Sequence, residues 1–550
     1  MLTETQTEAR SVRWQVAWVV AALAAAIVIR ILYLRFTDIY LDEYQHLHAA
    51  YLVGEGQVPY RDFLEHHTPF FYFLAAPFIA MSQKNFDTIL NVRMLSLAFS
   101  SLSVFVGWLW ARKLYGERAA WLVAALMLGS FFLFYRGSFL FLDTFATPFL
   151  LLSGLLLPVQ RSDRRSAFFS GLCYGVAILF TQKAVMSIFA PAFIWVVLLA
   201  QRRKGIIADL AFYGLGGAAS LLILLALIGP GTIGDFFQQN VTWNLAWKAK
   251  RFPRPELISL AGTDGVVALI AVYAAIRRLV LIGRRRLQLV PADVPALYFL
   301  SLLAGIFLLP VVWVEYFVEV VNFGTIVAGL LLVELLNLQT PEADDDAETG
   351  LRIENRALFL AAAVILILIR FSGLGARWVV ADAHRAMSTP AALAAASILL
   401  AAIVLIFRAV NADRPIRPAL LMTAILVYPV VQQLDYIYRA PNDSDRIGVE
   451  QVLRLADVDE PVFDGYSGFG VFRPHVYQYW FLHDELQLMM TEEQLGPGVV
   501  DAIESSRAPV VINDRFVAML PDTVHSYLRT HYEPTDVENI LVRRERQRPD

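Results

Sequence analysis

The sequence YLDEYQHLHAAYLVGEGQVPYRDFLEHHTPFFYFLAAP occupies residues 40–77, just after the first hydrophobic run of the chain. It places two adjacent carboxylates, Asp42 and Glu43, beside that run, followed by several histidines and an arginine. Ionisable groups at the edge of a bilayer are costly to hold in place unless they face water, a partner or a substrate. The stretch therefore predicts a functional site, although a charged loop at a membrane surface would have a similar composition.

Composition defines the class of protein. The 550 residues are 57% hydrophobic and only 17% charged, with a mean hydropathy of +0.54. These values exclude an ordinary soluble enzyme and predict a polytopic helical membrane protein. The net charge of -3 is too small to indicate nucleic acid as a partner. The single cysteine, Cys173, lies in an apolar run, where we expect a small buried hydrophobic side chain.

Span length and basic clusters predict the topology. The apolar run from Trp14 to Leu34 is long enough to cross a bilayer and lacks a signal-peptide cleavage pattern, so we predict that it is a first transmembrane helix. Loops rich in Lys and Arg are expected on the cytoplasmic side. Such clusters lie at residues 10–13, 112–118, 161–165, 202–204, 277–286 and 408–417.

The run from Pro69 to Met81 is predicted to be an interfacial helix. It has only about 13 residues and contains Pro77, whereas a spanning helix needs about 20. Counting it as a span would also place the basic residues 112–118 outside the cell. The prediction is an external catalytic loop at residues 35–88, the first loop, which holds two short helices.

The remaining apolar runs give about thirteen spans in all, with the N-terminus inside and the C-terminus outside. The two predicted domains are a transmembrane domain at residues 1–435 and a soluble, extracytoplasmic α/β domain at residues 436–550. The later spans are predicted near residues 89–111, 119–135, 144–159, 166–182, 185–200, 206–229, 265–282, 295–313, 317–337, 357–373, 390–407 and 418–435.

The C-terminal domain (residues 436–550) shows short apolar segments that alternate with helical patterns, which is typical of an α/β domain. Strands are predicted at Pro461–Phe463, Pro509–Ile512 and Ile540–Val542, and helices at Arg446–Ala456, Gly498–Ser505 and Val517–Thr530.

Four features of the first 200 or so residues resemble the GT-C superfamily of integral-membrane glycosyltransferases. The likeness is to the bacterial branch related to protein O-mannosyltransferases and lipid A aminoarabinose transferases. Later matches, such as EYF at Glu315–Phe317, are weakly specific. The four features are Asp42-Glu43 before a predicted helix at Tyr44–Val53, PYRDF and HxxP within Pro59–Pro69, FLFLDTF around Asp143, and GLCYGVAILFTQK at Gly171–Lys183.

The resemblance implies a GT-C fold and an inverting glycosyltransferase. Such an enzyme moves a sugar from a polyprenyl-phosphate donor to a glycan, lipid or protein acceptor on the outer face of the bacterial inner membrane. Inversion needs one carboxylate to take the acceptor proton and dipolar or cationic groups to stabilise the departing phosphate. Asp42 matches the family's catalytic base, a role compatible with helix N-capping.

Glu43 and Asp143 are the further predicted catalytic carboxylates. Glu43 would orient the base or bind the acceptor, or it would be a solvated helix residue. Asp143 would be a second acidic site residue or would form a structural pair with an arginine such as Arg136.

Cationic and polar side chains are predicted to bind substrate. Lys183 matches a family lysine, although snorkelling to the interface would place it similarly. Relatives often have a lysine just before the loop proline, where this chain has His66, His67 and Thr68. We predict that the loop at residues 229–264 is a lid, although an aromatic belt would look similar. The predicted substrate-binding residues are Arg61, His66, His67, Arg136, Lys183, Lys248 and Tyr316.

No cofactor is predicted. Asp42, Glu43, His46 and His48 could nominally hold a metal, but their spacing imposes no tetrahedral geometry. The competing functions are a transporter or lipid flippase and a non-catalytic membrane scaffold. A transporter would place its charges near the bilayer midplane, whereas here they concentrate at one face. The segment from Phe463 to His475 could bind an acceptor or a partner.

Overall fold

The computed structural model describes residues 24–247, 254–309, 311–335 and 433–546, together with residues 21, 430 and 431. The predicted spans at 357–373 and 390–407, most of the span at 418–435 and Lys248 lie outside these residues.

The transmembrane part is built from helices, as the composition predicts. Residues 24–36 form α1, which continues the predicted first span. The helices that follow are α2 Leu41–Gly54, α3 Phe70–Ala80, α4 Phe86–Tyr115, α5 Glu117–Gly129, α6 Phe131–Tyr135, α7 Leu142–Leu156, α8 Arg164–Phe180, α9 Phe189–Ala200, α10 Ile206–Ile228, α11 Ile233–Phe236, α12 Trp243–Ala246, α13 Arg254–Arg284, α14 Val294–Ile306 and α15 Phe317–Leu335. Shorter 3-10 turns lie at Gln182–Ile188, Pro230–Thr232, Pro291–Asp293 and Val314–Tyr316, and a π-helix at Phe237–Thr242.

Within the described residues, four helical segments are long and apolar enough to cross a membrane. In the most apolar 18 residues of Val314–Leu335, 89% are buried inside the protein, which places this helix in the middle of the bundle. The corresponding share for Ile206–Ile228 is only 22%. The outer helix exposes large apolar side chains such as Ile207 and Leu222, which suits contact with lipid. The other two segments are Phe86–Tyr115 and Gln182–Ala200.

The first loop contains two short helices, as predicted. α3 has 11 residues, so it is about 16 Å long and too short for a hydrocarbon core of about 30 Å. Elsewhere the chain departs from the prediction. The span expected at 119–135 ends at Gly129, because Ser130 accepts a hydrogen bond from the Leu133 N–H and caps the separate helix α6.

Glycines bring α8 and α10 into close contact. A Cβ on Gly171 would lie 2.0 Å from the Tyr213 carbonyl oxygen, and one on Gly216 would lie 2.0 Å from that of Phe168. Small residues allow helix backbones to approach closely inside a membrane. This contact fixes the end of α8, from which Gln182 and Lys183 continue.

The C-terminal domain contains the predicted small sheet. Its strand order is β1-β2-β4-β3, with β1 parallel to β2 and the other pairs antiparallel. β3 was not predicted, and the helix predicted at Val517–Thr530 is interrupted because Pro521 cannot continue a helix from the preceding turn. The strands are β1 Val462–Asp464, β2 Val510–Ile512, β3 Tyr532–Pro534 and β4 Ile540–Arg543, and the helices are Asp443–Leu455, Asp484–Gln487, Glu492–Leu495, Pro497–Ser506 and Asp522–His531, with 3-10 turns at Val517–Met519 and Arg544–Arg546.

The C-terminal domain docks on the first loop through specific hydrogen bonds. The Tyr44 hydroxyl donates to Asp445 Oδ1 at 3.2 Å. The Trp480 indole Nε1–H donates to the Leu64 carbonyl at 2.9 Å. His48 Nε2 and His475 Nδ1 are 3.1 Å apart. The two parts of the chain therefore share an interface at the start of α2 and along the loop that follows it.

Candidate active site

Asp42 and Glu43 lie in the first turn of α2, where carboxylates are favoured by the exposed backbone amides. Successive side chains on a helix point in directions about 100° apart. Asp42 therefore faces a cavity, whereas Glu43 faces the protein interior, where its carboxylate accepts a hydrogen bond from the Tyr40 N–H at 3.0 Å.

A cavity of about 370 Å³ lies between the first loop, α7, the 3-10 turns around Lys183 and Tyr316, and the C-terminal domain. One part of its wall is polar and another is apolar, which suits a ligand with a charged head and a hydrocarbon chain. The polar lining includes Asp42, Gln45, His46, His66, His67, Asp143, Gln182, Lys183, Asn240, Asn244, Glu315, Tyr316, Tyr466, His483 and Arg515, and the apolar lining includes Val185, Met186, Val241, Leu245, Leu309, Val311 and Trp313.

The Asp42 carboxylate receives a hydrogen bond of 2.5 Å from the Tyr466 hydroxyl. Burial raises the pKa of Asp42 above its ordinary value, while the Tyr466 hydrogen bond and the nearby positive charges act in the opposite direction. A carboxylate with a raised pKa is a stronger base than one in water, so Asp42 is suited to accept a proton.

Asp143 and Lys183 form an ion pair on the same cavity. Lys183 Nζ lies 2.6 Å from Asp143 Oδ2 and 3.8 Å from the centre of the Tyr316 ring. The Lys183 side chain is 16% exposed and the Asp143 side chain 2%. An ammonium group carries three N–H donors, so Lys183 keeps donors that can reach a ligand in the cavity.

The segment at residues 65–67 is held by a buried carboxylate. Glu65 Oε1 accepts hydrogen bonds from the His66 N–H at 2.8 Å, the His67 N–H at 2.9 Å and the His67 ring Nδ1 at 2.8 Å. The His66 carbonyl accepts from the side chains of Gln182 and Asn244. Burial and the charge of Lys183 lower the pKa of His67, so its ring is neutral at pH 7.

Glu65, His66 and His67 are also the group that could hold a metal ion. Within the described residues, one ligand atom from each lies within 4.8 Å of the others. The hydrogen bonds to Glu65 Oε1 already satisfy this carboxylate oxygen without an ion. Glu65 Oε2 and His66 Nδ1, by contrast, are buried without a hydrogen-bond partner among the described residues. The prediction that the protein requires no metal stays a prediction.

The structure brings most of the predicted site residues to this cavity and places others elsewhere. Arg61 is exposed and pairs with its neighbour Asp62 at 2.7 Å. Arg136 is buried beneath Tyr40, with its guanidinium 5.1 Å from the ring centre. Neither arginine lines the cavity, nor does Glu43, whose carboxylate is buried with Arg93. Lys248 lies outside the described residues. The predicted residues that do line the cavity are Asp42, Asp143, Lys183, His66, His67 and Tyr316.

Several lining residues were not predicted as site residues. Tyr466 and His483 come from the C-terminal domain, and Asn240 comes from the π-helix in the loop at 229–264. Only the segment Phe463–His475, singled out as a candidate for binding, gave a signal for Tyr466. In its described residues, 229–247 and 254–264, the loop expected to act as a lid is largely helical. It places Trp247 against His483, with ring centres 5.1 Å apart.

The fold is that of the GT-C superfamily of integral-membrane glycosyltransferases, as two comparisons show. A family model described as dolichyl-phosphate-mannose-protein mannosyltransferase matches residues 66–228. ArnT from Cupriavidus metallidurans in the apo state is similar in structure, with a TM-score of 0.60, 16% identity and coverage of 96% of this chain and 98% of ArnT.

The structure of the same ArnT bound to undecaprenyl phosphate gives a TM-score of 0.65 at 15% identity, over 96% of this chain and 97% of that chain. No curated protein matches the sequence. The family match and the two ArnT structures confirm the predicted GT-C class at the level of the fold.

Proposed function

We propose that this protein is an inverting glycosyltransferase that moves a sugar from a polyprenyl-phosphate donor to a glycan, lipid or protein acceptor. The observation that carries the proposal is the convergence of Asp42 and the Asp143–Lys183 pair on one cavity that is part polar and part apolar. The family match and the similarity to an ArnT structure that contains undecaprenyl phosphate support the choice of donor class.

The reaction requires few groups. Asp42 takes the proton of the acceptor hydroxyl as that oxygen forms a bond to the anomeric carbon of the sugar. The bond between the anomeric carbon and the phosphate oxygen breaks, and its electron pair leaves with the polyprenyl phosphate. The Asp42 carboxyl then releases the proton to solvent, which restores the base.

The departing phosphate needs positive charge. Lys183 is the basic side chain that contacts both the Asp143 carboxylate and the Tyr316 ring in the cavity. Its fixed position allows it to bind the phosphate without reorganisation at the moment of transfer. The apolar lining around Val185, Met186 and Leu309 is suited to the prenyl chain.

The proposal includes the side of the membrane. The basic loops of the transmembrane domain predict that the first loop and the C-terminal domain face away from the cytoplasm. We place the cavity at the outer face of the bacterial inner membrane. A lipid-linked donor would reach it there, because its polar head would enter the cavity while its chain stays in the bilayer.

The substitution Asp42→Asn tests the proposal. It keeps the shape of the side chain but removes its basicity, so we expect transfer to fall about 10²- to 10⁴-fold while donor binding is retained. Asp62→Asn is the control, because Asp62 is a surface carboxylate of the same loop, paired with Arg61. The purified protein would be assayed with short-chain polyprenyl-phosphate sugars and envelope extract as acceptor, with products identified by mass spectrometry. Wild-type turnover by Asp42→Asn would overturn the assignment.

A further inference from the structure

Tyr466 is held in a rigid turn that follows β1. Its backbone N–H donates to Asp514 Oδ2 at 2.7 Å. The Asp464 carboxylate accepts from the Ser467 N–H at 2.8 Å and the Gly468 N–H at 2.9 Å. Two half-buried carboxylates, Asp464 and Asp514, thus hold the backbone on both sides of Tyr466.

This turn lies directly against α2. Gly468 has a φ of +84°, and a Cβ built on it would lie 2.1 Å from the Cβ of Tyr44. Tyr44 is two residues beyond Asp42 on the same helix. The close approach that glycine permits therefore brings the turn of the C-terminal domain onto the first turn of the helix that carries the proposed base.

The Tyr466 hydroxyl contacts two side chains of α2, Asp42 Oδ1 at 2.5 Å and Gln45 Oε1 at 2.9 Å. A hydroxyl has one proton to donate, and an ionised carboxylate is a stronger acceptor than an amide oxygen. The proton therefore points to Asp42. The rings of His483 and Phe516 pack against Tyr466, with ring centres at 5.7 Å and 5.4 Å, and keep it in place.

We propose that Tyr466 is a positioning residue for the transfer reaction: its hydroxyl holds one oxygen of Asp42 so that the other faces the acceptor in the cavity. The C-terminal domain thereby completes the active site rather than only docking beside it. This inference rests on the proposed function of Asp42 as the base. A tyrosine that only anchors the domain would leave the chemistry of Asp42 unchanged.

The hydrogen bond also predicts a change in pH dependence. A bond donated to the ionised carboxylate favours that form, so its loss raises the pKa of Asp42 and moves the acidic limb of the rate profile to higher pH. Other titratable or charged groups also interact electrostatically with Asp42, and all of them are unchanged in a Tyr466 variant. These groups are His483, Lys183, Arg136, Glu315, Tyr40 and Tyr316.

The test is Tyr466→Phe in the full-length protein. We expect kcat above the acidic limb to fall about ten- to a hundredfold, because the lost alignment of Asp42 outweighs its stronger basicity. The KM for donor should change little, and the acidic limb should move to higher pH. Tyr477→Phe is the matched control, because that hydroxyl donates to the Gln494 carbonyl within the C-terminal domain at 2.9 Å. Unchanged kcat and an unchanged acidic limb in Tyr466→Phe would overturn the proposal. A loss in kcat equal to that of Tyr477→Phe would also overturn it.

Two further measurements separate this inference from the proposed function. If Tyr466 acts through Asp42, Tyr466→Phe should cause no additional loss of transfer in the Asp42→Asn background.

Carbodiimide modification of Asp42, followed by mass spectrometry across pH, reports the protonated carboxyl without any turnover. A higher midpoint in Tyr466→Phe shows that the hydrogen bond stabilises the ionised Asp42 carboxylate. If wild type transfers no sugar, the proposed function is rejected even though this midpoint is higher. An unchanged midpoint rejects positioning alone.

Discussion

Arg93 donates two hydrogen bonds to Glu43, from Nε to Oε1 and from Nη2 to Oε2, each at 2.9 Å. Both side chains are completely buried. The same guanidinium donates to the carbonyls of Leu34, Thr37 and Asp38, so it ties the end of α1 to the start of α2. The ion pair therefore sets the position of the helix turn that carries Asp42, and its contribution is structural.

The substitution Glu43→Gln should destabilise the protein. It leaves the Arg93 charge buried without its counter-ion, and breaking a buried ion pair costs about 3 to 5 kcal/mol. We expect a lower thermal transition of the purified protein and a lower yield. Asp42→Asn is the comparison, because it removes a carboxylate that is hydrogen-bonded to Tyr466 and not to a buried cation. Equal thermal transitions for both variants would contradict the structural role.

Lys183→Ala should weaken donor binding. A charge-assisted hydrogen bond is worth about 1.5 to 3 kcal/mol, so the expected loss of affinity is roughly ten- to a hundredfold. Lys183→Arg should restore part of the affinity, because a guanidinium also binds phosphate and can pair with Asp143. Binding of a water-soluble short-chain polyprenyl-phosphate sugar measures both variants. Equal affinities for wild type and Lys183→Ala would falsify the phosphate role and leave Lys183 as the counter-ion of Asp143.

Gly468→Ala should detach the C-terminal domain from α2. The added methyl group would collide with Tyr44 at a position that also has φ of +84°. Gly56→Ala is a matched control, since Gly56 has φ of +87° but no atom within 4 Å of the added Cβ. The control should show only the backbone strain, about 1 kcal/mol. Limited proteolysis of Gly468→Ala and Gly56→Ala compares the two variants. Equal protection of the C-terminal domain in both would contradict the close packing of Gly468 against Tyr44.

Docking of the C-terminal domain should weaken in acid. Burial lowers the pKa of His48 to about 4 and that of His475 to about 3, both below the ordinary value of 6.5. The unfolded chain therefore binds more protons than the folded one below pH 6.5, so stability is present above that pH and is lost as the pH falls towards 4. Each pKa unit corresponds to about 1.4 kcal/mol. Thermal unfolding measured from pH 7 to pH 5 should show this loss of stability, and the substitution His475→Gln should make the loss smaller.

The side of the membrane can be tested by labelling. In a Cys173→Ala background, Glu492→Cys on the C-terminal domain and Lys204→Cys on the loop after α9 occupy exposed positions. We expect an impermeant thiol reagent applied to intact cells to modify the first but not the second. Labelling of Lys204→Cys from outside would place the cavity on the cytoplasmic face.

Local patterns predicted much of the fold. The span expected at 206–229 is the helix Ile206–Ile228, and the strand expected at Pro509–Ile512 is Val510–Ile512, because continuous apolar runs and turn residues determine both. The short helix α3 could be predicted from the length of its apolar run. The number of spans stays a prediction, since several of them lie outside the described residues.

Long-range pairing explains what the sequence could not predict. Asp42 and Glu43 are neighbours with the same local surroundings, yet Glu43 is buried because Arg93, 50 residues later, lies opposite it. Tyr466 reaches the site from a turn whose position depends on the folded C-terminal domain. A local pattern or motif in the sequence carries no information about such contacts. Asp143 and Lys183 could be predicted as site residues because of the family resemblance, whereas Tyr466 was not predicted.

The interface between the first loop and the C-terminal domain has a consequence for biosynthesis. The contacts that complete it join residues 401 to 427 positions apart in the chain. Contacts of such high sequence separation are slow to form, because a long loop must close before they stabilise the chain. At a synthesis rate of about 5 to 20 residues per second, Asp42 is made roughly 20 to 85 seconds before Tyr466. During that interval the nascent chain carries its acidic helix turn uncovered, and the finished cavity exists only after the final domain has been made.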